Sequence, residues 1–443
     1  MFAIPGLILL VAVLLLAPDE RLLAPGAALL AALGLTVDLR LRHARPDPAP
    51  SLPWVLALAA WALVGIVVKQ SAALAVVGGG LVLSLAVYAL LAHGVQSLRA
   101  FERVAAVLLA VLLAIAAVAV HEGRAGFGCL RVDDAQPGAS IGVYDGRPCA
   151  VVEECRAEAG ATYLCERVGL FGTHSVGGGR VRWRGPLVDP NALALALVMA
   201  LPLAFAVAER RRGLWRSALL LVAVVGIGLA VVYTRSRSGQ LVFVTATGVY
   251  FVRRFGVGGL VLGAAAAGAL VLTGGRSGEA YAPSLERLES WWVGLSLVGE
   301  APLVGVGAGL FGDHHASSAK SAFVQVAAES GLVGLYLLSI AMWVTAKTPL
   351  AMVSQASTSA ALRSWAVALL AMLGALAVGM LFSAVAWDPI VWIVLGLGGA
   401  LHQVARREDP TLRIALRARD LIGVLVADAA LLTAMVVYTR WRA

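Results

Sequence analysis

The sequence predicts an all-α polytopic membrane protein of about 12–13 transmembrane helices, with two large loops on the outer side. Three observations carry this expectation. The chain has 443 residues and is 60% hydrophobic but only 14% charged, where a soluble protein carries roughly 25% charge. Apolar runs long enough to span a bilayer, about 20 residues each, recur along it. The arginines collect in alternate intervals between those runs.

The expected spans are 2–17, 22–37, 54–69, 72–93, 103–120, 190–208, 217–233, 238–252, 256–273, 322–345, 364–384, 389–405 and 420–438. The first, Phe2 to Ala17, is apolar without a positive leading segment, so it reads as a span rather than a cleaved leader. Gly78-Gly79-Gly80 falls inside the fourth span, where small residues let helices approach closely. The last span carries Asp428 near mid-membrane, and an intramembrane carboxylate is costly. Two readings of it stand: a functional group in a true span, which would put Arg440 and Arg442 outside, or a tilted or peripheral segment with Asp428 facing a partner helix.

Orientation follows from arginine. Arg40, Arg42 and Arg45 lie in one interval, and Arg99 and Arg103 in the next but one. Arg210, Arg211, Arg212 and Arg216 follow, then Arg253 and Arg254, then Arg406, Arg407, Arg413, Arg417 and Arg419. With the N-terminus inside, all of them fall on the cytoplasmic side. The net charge of +9 is therefore explained by membrane sorting and not by nucleic-acid binding. Five segments result: membrane helices 1–120, an outer loop 121–189, membrane helices 190–273, a second outer loop 274–321, and membrane helices 322–443.

All four cysteines, Cys129, Cys149, Cys155 and Cys165, lie in the first outer loop. An even number in one exported loop predicts two disulfides in an oxidising compartment. Three pairings are open. No Cys-x-x-Cys pair exists, so zinc is the weaker reading.

Cations placed against the inside-positive trend are the candidates for function. Arg180, Arg182 and Arg184 precede the sixth span, whose entry reads Asp189-Pro190-Asn191. Asp189 or Asn191 suits a helix cap, Pro190 suits a first turn, and a helix N-terminus beside arginine suits a phosphate. Arg235 and Arg237 sit at an outer tip between two spans. Arg276 and Arg287 lie in the second outer loop, with Trp291 and Trp292 beyond them. Each alone also suits a headgroup anchor. Residues 282–298 repeat Leu285, Leu288, Trp292 and Leu295 at helical spacing, which predicts an interfacial helix. Gly305-Val306-Gly307-Ala308-Gly309 follows no strand, so it predicts a tight turn that brings backbone close to a substrate or another helix. His314 and His315 are a candidate base near neutral pH or a solvated pair. Lys320 and Glu329 close the set.

In this order the motifs resemble the bacterial O-antigen ligase and O-antigen polymerase superfamily of integral membrane glycosyltransferases. Arg184-Gly185-Pro186-Leu187-Val188-Asp189-Pro190-Asn191 is similar to the family's entry to a span. Thr234-Arg235-Ser236-Arg237-Ser238-Gly239 is similar to its Thr-x-Ser-Arg-Gly motif, with Arg237 at the motif arginine. The segments 302–311 and 323–334 resemble its long outer-loop signature. The sequence departs at one point. The family has His-Asn about nine residues before the last motif's Glu, and counting back from Glu329 reaches Lys320-Ser321.

The resemblance implies a GT-C-like membrane fold in a bacterial inner membrane, active at the periplasmic face. The implied donor is an oligosaccharide on a polyprenyl pyrophosphate, and the acceptor a glycan or lipid. It implies a metal-independent reaction without cofactor. Arg184, Arg237 and Arg235 would hold pyrophosphate, with Arg276 or Arg287 assisting. Lys320, His314 or His315 would stand near the acceptor hydroxyl. Lys320 serves as a base only where desolvation or cationic neighbours favour its neutral form. Polymerase and ligase both remain open, as does a transporter of a lipid-linked glycan or small anion.

Overall fold

A computed structural model of the chain describes residues 2–17, 20–42, 47–69, 77–132, 142–155, 162–210, 213–259, 281–355 and 358–442, with positions 261, 263 and 265. Helices follow the apolar runs: α1 Ala3–Leu16, α2 Glu20–Arg42, α3 Leu52–Lys69, α4 Gly79–Gly94, α5 Leu98–Arg124, α6 Pro190–Val198, α7 Ala200–Arg210, α8 Leu214–Thr234 and α9 Arg237–Phe255. After the second outer loop begins come α10 Tyr281–Glu300, α11 Ala322–Ser354, α12 Ala360–Phe382, α13 Pro389–Glu408 and α14 Ala418–Arg442. Among the described residues nine helical segments are long and apolar enough to cross a membrane, α6 and α7 counting as one, and α1 and α4 are shorter apolar helices. The chain is thus helical and multi-pass by length and composition. The span expected over 256–273 falls largely outside the described residues.

The all-α expectation needs one correction. The first outer loop carries a three-stranded antiparallel sheet, β1 Phe127–Val132, β2 Val143–Pro148 and β3 Thr162–Arg167, in the order β2-β1-β3. Its strands are short and half polar, so neither length nor alternation announced them. Two disulfides fasten it, Cys129–Cys155 and Cys149–Cys165. Cys129 and Cys165 face each other across the β1–β3 ladder, yet each bridges to a different partner. The loop is small, and covalent links replace the apolar core it cannot build.

The chain divides into two compact units. One comprises residues 1–10, 24–104 and 276–443, and the other 11–23 and 105–275. In the first unit α13 is the buried centre, with its residues from Ile390 to Ala405 shielded by α4, α11 and α12. In the second, α6 is buried along its length between α8 and α9.

Loop pairing within each unit follows the arginine alternation. In the first unit Arg406 pairs with Asp47 at 3.1 Å, Arg407 donates to Gln96 at 2.6 Å, and Lys347 pairs with Asp420 at 2.5 Å. In the second, Arg253 pairs with Glu209 at 3.1 Å. Every one of these joins intervals expected on one and the same side. At Gly79 and Gly80 the packing role expected of the Gly78-Gly79-Gly80 run is not found: a Cβ at either would meet nothing within 4 Å.

Candidate functional site

In the second unit two helix N-termini abut. Asp189 caps α6, accepting from the Asn191 and Ala192 N–H groups at 2.7 and 3.2 Å, with Pro190 in the first turn. Ser236 caps α9, accepting from Gly239 N–H at 2.9 Å. The same Ser236 hydroxyl donates to Asn191 Oδ1 at 2.7 Å and lies 2.9 Å from Ser238 Oγ. Gly239 permits this approach, since a Cβ there would lie 2.4 Å from the Ala194 Cβ. The segments bearing Arg184 and Arg237 are therefore tied together side chain to side chain. Partial positive charge from both helix ends accumulates there.

The arginines around this junction do different things. Arg237 opens α9 and is exposed. Arg184 lies over the Trp183 ring at 5.8 Å, and its buried Nε finds no hydrogen-bond partner among the described residues. Burial holds the Arg184 guanidinium below its ordinary value. Arg184 makes no ion pair among the described residues, and a half-buried cation so placed is suited to an anion. Arg235, in the left-handed conformation that ends α8, donates to the Gly178 carbonyl at 2.9 Å. Arg180 donates to the Thr234 carbonyl at 3.2 Å. Those two staple the tip to the preceding loop.

Arg182 is structural. It is buried, its Nε donates to the His174 carbonyl at 2.9 Å, and its Nη2 lies 2.6 Å from His174 Nε2. Its backbone N–H donates to Glu122 Oε1 at 3.3 Å. Burial lowers the Arg182 guanidinium, and Glu122 and Glu166 oppose that shift without cancelling it. This network joins the sheet to the end of α5 and presents no charge outward.

In the first unit the glycine run docks on a broken helix. Gly331 interrupts α11 with φ 69° and ψ −177°, a region open essentially to glycine alone. The carbonyls freed by the break are taken by the loop before it. Val306 N–H donates to the Ala328 carbonyl and Gly307 N–H to that of Glu329, both at 2.9 Å. Trp61 Nε1 donates to the Ser330 carbonyl at 2.9 Å, and Leu332 N–H to that of Pro302 at 2.8 Å. The Glu329 side chain, 1% exposed, accepts from Trp387 Nε1 at 2.7 Å and from Phe311 N–H at 3.4 Å. The glycines thus serve close approach to a helix, one of the two uses expected of them. Glu329 is the latch that holds this turn.

Beyond the turn, residues 314–320 pack on α10, whose bounds match the helix expected over 282–298. His315 Nδ1 lies within 3.1–3.2 Å of the Ser317 backbone and hydroxyl, and Nε2 faces Glu289 at 3.8 Å. Ser317 also touches Ser290 at 2.9 Å. Lys320, held at φ 53°, pairs with Glu286 at 3.2 Å. Burial alone would raise the Glu286 carboxyl, but Lys320, with Ser317 and His315, holds it below its ordinary value. An acidic partner is the opposite of the cationic or desolvated surroundings a lysine base needs. His314 is exposed. Arg287 lies over the Phe382 ring at 5.8 Å. Arg276 lies outside the described residues.

Sequence reasoning missed the Asn191–Ser236 junction, the Glu286 partner of Lys320 and the Glu329 latch. The only signal for the first was two N-cap residues, Asp189 and Ser236, at two arginine-bearing helix starts. Among the described residues, the one tight cluster of metal-ligating side chains, Cys129, Cys149 and Cys155, is made of disulfide sulfurs. No protein-family model matches the chain, and no curated protein matches it.

Proposed function

We propose that the protein is a glycosyltransferase that uses a polyprenyl-pyrophosphate-linked glycan at the periplasmic face of a bacterial inner membrane. It either extends that glycan or transfers it to an acceptor, as in the O-antigen polymerase and ligase family that its motifs resemble. One observation carries the reading: the N-termini of α6 and α9, in the segments that carry Arg184 and Arg237, are joined through Asn191 and Ser236. A diphosphate is the ligand such a site suits, because guanidinium forks and backbone N–H groups both address phosphate oxygens.

In this reading Arg184 and Arg237 hold the diphosphate and stabilise the charge that grows on it as the anomeric C–O bond breaks. Arg235 contributes through the nitrogens it does not give to Gly178. The acceptor hydroxyl forms the new C–O bond and surrenders its proton to a base. Of the bases that the resemblance implies, His315 is engaged by Ser317 and Lys320 by Glu286, and His314 is exposed.

The transporter reading draws on a different observation, the buried Asp428, which accepts from Ser339 at 2.7 Å on a helix long and apolar enough to cross a membrane. Reconstitution of the full chain with a lipid-linked oligosaccharide separates the two. Elongated or transferred glycan supports the enzyme. Movement of the unchanged lipid across the bilayer, without new glycosidic bonds, overturns it.

A further inference from the structure

The end of α14 and the interfacial helix α10 enclose a groove of about 440 Å³, lined by Leu285, Leu288, Glu289, Trp292, Thr439, Arg440 and Arg442. It has two chemistries. Leu285, Leu288 and Trp292 form an apolar wall, with Leu285 and Trp292 substantially exposed. Arg440 and Arg442 form a cationic rim, both exposed, with Arg442 stacked over the Trp441 ring at 5.0 Å. The two guanidiniums outnumber the single carboxylate, Glu289. The two helices are held firmly beneath: Trp291 packs against Tyr438 at 6.2 Å and shares a buried cluster with Met435, Leu297 and Phe311. The groove is therefore built on a fixed base and is not a gap between loose segments.

Its depth follows from the helices. An amphipathic helix with tryptophan lies at the headgroup level. The last helix brings arginines to that level on the side where sorting disfavours them. We infer that this groove is a binding site for one anionic glycerophospholipid of the outer leaflet, its phosphodiester between Arg440 and Arg442 and an acyl chain along Leu285, Leu288 and Trp292. Guanidinium forks match phosphate oxygens, and an apolar wall beside them matches a chain that leaves the headgroup toward the bilayer interior. The inference goes beyond the glycan-transfer reading and does not depend on it.

The test uses the purified full chain in detergent, with phosphatidylglycerol, diacylglycerol of the same chains, and a polyprenyl diphosphate as probes. Native mass spectrometry counts retained lipid. The wild type is expected to retain one phosphatidylglycerol and no diacylglycerol. R440Q/R442Q is expected to weaken retention about tenfold. R413Q, which removes a cation from a different loop, leaves it unchanged. Phosphatidylglycerol should raise the unfolding midpoint of the wild type and not of the double variant. Equal retention by R440Q/R442Q, with an unchanged midpoint in the absence of lipid, overturns the inference. So does displacement of phosphatidylglycerol from the wild type by an equimolar polyprenyl diphosphate, which would assign the groove to the carrier lipid.

Discussion

Gly331→Ala tests the docked turn most sharply. A Cβ at this position would lie 2.1 Å from the Leu303 carbonyl oxygen and 2.8 Å from that of Pro302. Both are backbone atoms, so no side chain can swing aside. Ordinary contact needs more than an ångström of further separation, and the turn must lift off α11. That lift breaks the Leu332–Pro302, Gly307–Glu329 and Val306–Ala328 hydrogen bonds, at about 1 kcal/mol each. The backbone conformation at Gly331 adds about 1–3 kcal/mol of strain for any residue with a Cβ. Together these give a loss of about 4–6 kcal/mol, shared between global destabilisation and local release of residues 302–311. Two readouts check it on the detergent-solubilised chain: the thermal unfolding midpoint, and limited proteolysis of the second outer loop. The variant should unfold earlier and be cut in the loop where the wild type resists. An unchanged midpoint with an uncut loop would refute the docking argument, and with it the latch role of Glu329.

Four further outcomes are expected. Arg237→Ala should abolish glycan transfer at normal expression and membrane insertion; wild-type transfer would remove this arginine from the site. His314→Ala should reduce transfer more than Lys320→Ala, because an exposed ion pair contributes less than about 1 kcal/mol; the reverse ranking in a transfer assay would return the base to Lys320. Replacing Cys129 and Cys155 by Ser opens a link spanning 26 positions and should cost the outer sheet about 3–4 kcal/mol, read as faster proteolysis of residues 121–189 under non-reducing conditions. The Glu286 carboxyl is lowered in the folded chain, so its contribution to holding residues 314–320 is present above the ordinary glutamate range and is lost as pH falls through its lowered value. Hydrogen exchange of that segment should therefore rise only as pH falls below the ordinary glutamate range, and a rise between pH 6 and 8 would contradict the pairing.

Much of the architecture was legible because it rests on local chemistry. Apolar length and arginine alternation give the spans, and Asp189 and Pro190 mark the start of α6. The repeat of Leu285, Leu288, Trp292 and Leu295 gives α10 almost to its ends. What was not legible depends on distant partners. The break in α11 is hidden because residues 322–345 are apolar enough overall to read as one span and Gly331 leaves that hydropathy unchanged; only the turn docked from Pro302 to Gly307 reveals it. The outer sheet escaped because its strands are short and partly polar. The disulfide pairing is encoded neither by the cysteine spacing nor by the strand register, since Cys129 and Cys165 face each other in the ladder yet bond elsewhere. The roles of the outer arginines also diverge for tertiary reasons: Arg182 is consumed by His174 and Glu122, Arg235 is engaged by Gly178, and Arg184 makes no ion pair among the described residues. Sequence position alone made all three look alike.

The central claim is that a diphosphate sits where α6 and α9 meet. A structure of the purified chain with a polyprenyl diphosphate, in lipid nanodiscs, addresses it directly. The account places the phosphates at the Asn191–Ser236 junction, within reach of Arg184 and Arg237, with the prenyl chain leading into the bilayer. Phosphates bound elsewhere, with this junction empty, would contradict it.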